Sequence, residues 1–132
     1  MIKCKLNRGR RWLAAVSVFL LLAGCAGQAI HREGMELLQQ GNYEQAVAKL
    51  GEATREAPGD MEFHKDLVRA REEGAKRLVA AGNAERVAER YGRAEEAYKQ
   101  ALRIEPGNGR AMSGLEAVVM DRRHAGIVAQ AQ

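Results

Sequence analysis

Cys25 is the residue with the most chemistry to offer. Its thiol follows the small or apolar Leu22-Ala23-Gly24 at the end of a short apolar run, the setting in which leader sequences are processed. Beyond it the inventory is sparse: one serine (Ser113), one threonine (Thr54) and three histidines (His31, His64, His124). Nucleophilic catalysis needs a hydroxyl or thiol, a base within hydrogen-bond reach and a group that orients the base. Ser113 falls near an expected helix start, where a serine caps the helix or faces solvent. No two histidines stand four apart, so the simplest helical zinc arrangement is absent. His64 with Asp60 could hold a metal weakly, but the pair reads as a solvated first helical turn. The carboxylates of Glu72-Glu73 and Glu95-Glu96 belong to i,i+4 surface patterns, in which Glu95 attracts Lys99 while Glu62 repels Asp66. The chain is therefore read as non-enzymatic, with no metal site and no cofactor.

The residues before Cys25 explain why its thiol matters. Lys3, Lys5, Arg8, Arg10 and Arg11 precede an uncharged stretch from Trp12 to Ala23. That stretch has 12 residues, and a bilayer span needs about 20. A basic segment, a short apolar core, small residues and a cysteine together resemble the signal peptide of a bacterial lipoprotein. The resemblance implies that residues 1–24 are removed and that a diacylglyceryl group alkylates the sulfur of Cys25. Residues 25–26 then form a lipidated N-terminus carrying fatty acyl chains such as palmitate. One acyl chain holds a protein to a membrane marginally and two hold it stably; the cysteine of this family carries two or three. Ala26 is not the aspartate that retains enterobacterial relatives in the inner membrane, which favours the outer membrane, facing the periplasm.

Removing the leader changes the charge. Five of the 21 basic residues and none of the 17 acidic ones precede Cys25, which leaves 16 basic against 17 acidic. The basic isoelectric point thus belongs to the leader, and no basic face remains to suggest a nucleic-acid partner. Cys4 and Trp12 also leave, so the mature chain cannot form an internal disulfide.

What remains is rich in Ala, Glu, Gln, Leu and Arg, all good helix formers. Its only prolines sit in matching contexts, Ala57-Pro58-Gly59-Asp60 and Glu105-Pro106-Gly107-Asn108, which read as helix stops. Matching punctuation at two places points to an internal repeat. Residues 27–60 carry Gly34, Leu37, Gly41, Tyr43, Ala46, Leu50 and Ala53 ahead of Pro58. This pattern resembles the tetratricopeptide repeat, a helix-turn-helix unit of about 34 residues. On that reading Gly34 faces Ala46 where the helices cross, Gly41-Asn42 makes the turn, and Tyr43 and Leu50 bury area between the helices. The fold class expected is all-α: about two tetratricopeptide-like hairpins with a C-terminal capping helix.

The second unit, residues 61–108, is longer. Pro58 and Pro106 are 48 residues apart, and a repeat of about 34 leaves roughly 14 to place. Tyr91, Ala94, Tyr98 and Ala101 fill the second-helix slots; Ala75 and Leu78, counted back from Gly82-Asn83, fill the first-helix slots. Seven extra residues in each helix is two turns and keeps the same faces together. The preferred expectation is helix 61–81, a turn at Gly82-Asn83 and helix 84–105. The alternative is a normal repeat at 75–108 with a spare helix at 61–74, which puts Glu85 in a slot meant for an apolar residue. Residues 109–132 read as a further helix and tail, with a stripe at helical spacing through Ala111, Met112, Leu115, Val118, Val119 and Arg122, read as apolar.

Tetratricopeptide arrays bind peptides or partner helices along their first helices, so the resemblance implies a groove. Its residues would be Gln28, His31, Met35, Leu38 and Gln39 in the first unit and Arg69, Glu72, Lys76, Val79 and Ala80 in the second. The paired Lys and Asn that grip a C-terminal carboxylate in better-known members are missing, so that specificity does not follow. Arrays of fewer than three repeats are marginal alone, so the module is expected to lean on a partner, on itself, or on further chain. The order of parts, with Gly109-Arg110-Ala111-Met112-Ser113-Gly114-Leu115 and Asp121-Arg122-Arg123-His124, also resembles the N-terminal helical segment of secretin lipoproteins of type II secretion and type IV pilus systems. That implies a lipid-anchored scaffold with secretin or pilus components as partners. The alternative is a general tetratricopeptide lipoprotein assisting cell-wall enzymes or outer-membrane assembly.

Overall fold

The structure is a computed structural model that describes residues 26–131. Cys25 and the leader lie outside the described residues. Five helices succeed one another, with no strand among the described residues. α1 covers 26–39. α2 is Tyr43–Glu56, α3 is Met61–Val87, α4 is Tyr91–Ile104 and α5 is Gly109–Gln130. The all-α, tetratricopeptide-like fold expected from the sequence is the one observed. No described helix is long and apolar enough to cross a membrane.

The helix boundaries arise from local chemistry. The carboxylate of Asp60 caps α3 by accepting from the amides of Glu62 at 2.9 Å and Phe63 at 3.3 Å. The side chain of Asn108 caps α5, accepting from the amide of Ala111 at 3.0 Å. Both caps satisfy donors that a helix start leaves without partners. They sit immediately after the two Pro-Gly pairs, whose helix-stop reading is correct.

The turn expected at Gly82-Asn83 is not there. α3 runs unbroken for 27 residues through that dipeptide, and the chain reverses at 88–90 instead. The two real turns share one geometry. After α1 the amide of Asn42 donates to the carbonyl of Leu37 (2.9 Å) and that of Gly41 to Leu38 (3.1 Å). After α3 the amide of Arg90 donates to Glu85 (2.9 Å) and that of Glu89 to Arg86 (3.0 Å). This double bond pattern closes a helix when the residue just past its end is left-handed, and Gly41 (φ 79°) and Glu89 (φ 59°) are the residues that comply. The second turn is illegible in the sequence because glutamate is a poor marker for it. All the additional length therefore lies in α3, whose C-terminal part pairs with α4 as a repeat of ordinary size. The alternative with a spare helix is nearer to the structure, except that 61–74 is continuous with the rest of α3. Glu85, the misfit in that version, answers its slot with an ion pair to Arg90.

Gly82 has a different task. The phenol ring of Tyr98 is fully buried and lies against both Gly82 and Gly114. A Cβ on Gly82 would come within 2.6 Å of the ring, and one on Gly114 within 2.4 Å. Either substitution forces overpacking, which costs about 1–3 kcal/mol. Asn83 completes the arrangement by accepting from the Tyr98 hydroxyl at 2.7 Å. The equivalent contact in the first unit is between Gly34 and Leu50, where a Cβ would stand 2.8 Å from Leu50 Cγ. Gly34 is thus closed over by Leu50, and Ala46 is fully buried.

α2 and α4 both pack on α3. The end of α4 reaches the start of α2, where Arg103 bonds Glu44 at 2.7 Å and Glu96 at 2.8 Å. A core gathers Val79, Ala94, Tyr98, Ala101, Ala111 and Val118 between α3, α4 and α5. α3 is the spine to which both hairpins attach.

Candidate functional site

Positions 69, 72, 76, 79, 83 and 86 of α3 alternate three and four apart, so they lie in one stripe along the helix. Over about 26 Å of helix, at 1.5 Å per residue, this stripe forms the floor of a continuous groove. At one end α1 provides a wall: Met35, Leu38 and Gln39 enclose a cleft of about 610 Å³ with Asp66, Arg69, Glu72, Glu73 and Lys76. The middle, about 520 Å³, shares Glu72 and Lys76 and adds Val79, Glu105, Gly107, Asn108 and the start of α5 at Gly109 and Arg110. The far end, about 410 Å³, lies between Val79, Asn83 and Arg86 of α3 and Arg110, Ser113 and Ala117 of α5.

Six of the residues expected to bind a partner therefore line one cleft: Met35, Leu38, Gln39, Arg69, Glu72 and Lys76. Val79 lines the next two. Gln28 and Ala80 are exposed but outside the cleft linings. His31 is committed to holding α1 on α3. Its ring stacks on Phe63 with centroids 4.3 Å apart, and Nε2 meets Asp66 Oδ2 at 2.9 Å. With its side chain only 14% exposed, it shapes the groove wall instead of presenting itself to a ligand.

The α5 wall and Asn83 and Arg86 are not legible from sequence as groove residues. A turn placed at Gly82 breaks the stripe, and α5 reads as a cover alone.

The groove is strongly polar with apolar points. Glu73 at its edge hydrogen-bonds Arg77 at 2.7 Å, and that guanidinium holds the carboxyl below its ordinary range. Asp121 bonds Arg86 at 2.9 Å and raises its affinity for the proton. The Arg86 Nε is buried and has no hydrogen-bond partner among the described residues. Arg69, Lys76 and Arg110 make no ion pair among the described residues. The floor offers Arg69, Lys76 and Glu72, the last likewise without an ion pair among the described residues, the α5 wall offers Arg110, and the α1 wall offers Met35 and Leu38 as apolar contacts.

The chemistry-bearing side chains elsewhere are occupied or isolated. Thr54 donates to the carbonyl of Leu50 at 2.8 Å within its own helix. Asp60 is used as a cap, and the His64 ring lies 3.0 Å from the carbonyl oxygen of Pro58. No group of three or more His, Cys, Asp or Glu side chains able to hold a metal occurs among the described residues.

Comparison with known proteins agrees with the geometry over part of the chain. The family model described as Tetratricopeptide repeat matches residues 31–82, which takes in most of α1, all of α2 and α3 as far as Gly82. No curated protein matches the sequence.

Proposed function

We propose that this protein is a lipid-anchored periplasmic scaffold that holds a protein segment in the groove along α3. The observation that carries this reading is the continuity of the groove, from Met35 on α1 across the α3 stripe to Arg110 on α5. A helical-repeat fold of this kind serves protein–protein contact, and the tetratricopeptide match over 31–82 supports protein partners. Arg69, Glu72, Lys76 and Arg110 beside Met35 and Leu38 suit a partner segment of mixed charge with apolar residues between its charges. The leader and Cys25 support a tether in the outer membrane, and the order of motifs supports a place beside secretin or pilus components.

Two experiments test this. Cys25→Ser is expected to leave the precursor uncut or release the protein from membranes; ordinary membrane retention with normal processing would contradict the anchor. Affinity capture from solubilised envelopes is expected to return secretin or pilus components. Recovery of wall synthases or assembly factors in their place would favour the general lipoprotein role.

A further inference from the structure

α5 presents two different sides. Ala111, Gly114 and Val118 are buried against the body, and its polar neighbours on that side are paired within the chain, Asp121 with Arg86 and Arg122 with Glu95. The opposite side carries Met112, Glu116, Val119, Met120, Arg123 and Ile127, which fall within about 100° of the helix circumference. Its four apolar members are between 45% (Met112) and 58% (Ile127) exposed. Glu116 and Arg123 make no ion pair among the described residues. This side is a separate flank from the one that lines the groove through Arg110, Ser113 and Ala117.

We infer that this face of α5 docks on the same face of a second copy of the chain, antiparallel, about a two-fold axis between residues 119 and 120. In such a pairing residues equidistant from the axis meet. Glu116 then meets Arg123 of the other copy on either side of the axis, Val119 and Met120, which lie on the two edges of the face, each meet their own counterpart beside the axis, and Met112 approaches Ile127 further out. Every contact is apolar on apolar or acid on base, and the two charges left unpaired within the chain become two interchain pairs. A parallel pairing would set Glu116 against Glu116 and Arg123 against Arg123. The charge pattern therefore selects both the occupant and its direction. One pair of helices about 33 Å long buries less than the ~1,200 Å² at the low end of stable interfaces, so the dimer is weak, with a Kd of about micromolar or above. The residues of α5 that line the groove are not those of the pairing, so partner binding and dimerisation are separable.

Sedimentation equilibrium of the full-length protein in detergent, over about 1 μM to 1 mM, tests it. The wild type is expected to show a reversible monomer–dimer equilibrium. Glu116→Arg or Arg123→Glu alone replaces two attractions with two repulsions and is expected to raise Kd at least ~10-fold. The combined reversal is expected to return Kd to within ~3-fold of wild type. Circular dichroism of each variant checks that α5 remains helical. A wild type that is monomeric throughout, single reversals that dimerise as wild type does, or a double reversal that fails to recover would each overturn the pairing.

Discussion

At the scale of single residues, the backbone at Glu89 carries a cost that its counterpart Gly41 avoids. Both close a helix with the same pair of hydrogen bonds and a left-handed backbone, but a residue with a Cβ loses roughly 1–2 kcal/mol in that conformation. Glu89→Gly is therefore expected to stabilise the protein by about 1 kcal/mol, partly offset by the greater freedom of glycine in the unfolded chain. Chemical denaturation measures it; a loss of stability would contradict the assigned turn. The same pair shows what can be read from sequence. Gly41-Asn42 announces its turn because residues that tolerate left-handed angles mark such sites. Glu89 gives no such sign, whereas Gly82-Asn83 gives a false one. There the glycine admits the Tyr98 ring and the asparagine accepts its hydroxyl. Glycine answers both demands, and only tertiary structure tells which is being made.

At the scale of elements, the continuity of α3 decides the architecture. A proline at residue 84 separates the two possible foldings. If a turn stood at 82–83, residue 84 would open a helix, where proline is well tolerated. Within an unbroken helix it removes a hydrogen bond and clashes with the carbonyl four residues back, at a cost of about 3 kcal/mol or more. Ala84→Pro is expected to show the larger loss in thermal or urea unfolding; near-neutrality would restore the turn at Gly82-Asn83. The helical class, both Pro-Gly stops and the buried Ala46, Leu50, Ala94 and Tyr98 are legible because periodicity and punctuation are local signals, whereas the six members of one cleft follow from the resemblance to the tetratricopeptide repeat. How the extra length divides between two helices is not local. Seven residues in each of two helices and fourteen in one preserve the same facing surfaces, so amphipathic pattern alone cannot choose between them.

At the scale of the whole molecule, surface ion pairs link helices whose apolar contacts are modest. Arg103 joins α4 to α2, Arg86 joins α3 to α5 and Arg122 joins α5 to α4. Glu73, Glu85, Glu95 and Glu96 each have a carboxyl held below the ordinary 4.5, chiefly by hydrogen bonds from Arg77, Arg90, Lys99 and Arg103 respectively. A depressed carboxyl means that the unfolded chain binds more protons than the folded one as pH falls past 4.5. The stability these pairs contribute is thus complete above that pH and is lost as the folded carboxyls protonate. Thermal unfolding is expected to occur at progressively lower temperature below about pH 4.5, with a smaller acid effect in 1 M salt; a midpoint constant from pH 6 to pH 3 would contradict it.

The docking role itself is tested most directly by a photo-crosslinking amino acid placed in the full-length protein in its own envelope. One variant carries it at Lys76 on the groove floor and another at Arg55, exposed on α2 and outside the groove. The groove position is expected to yield a discrete adduct whose mass and peptides identify a secretin or pilus component, and the α2 position none. Equal adducts from both positions, or none from Lys76, would contradict the groove as the working surface.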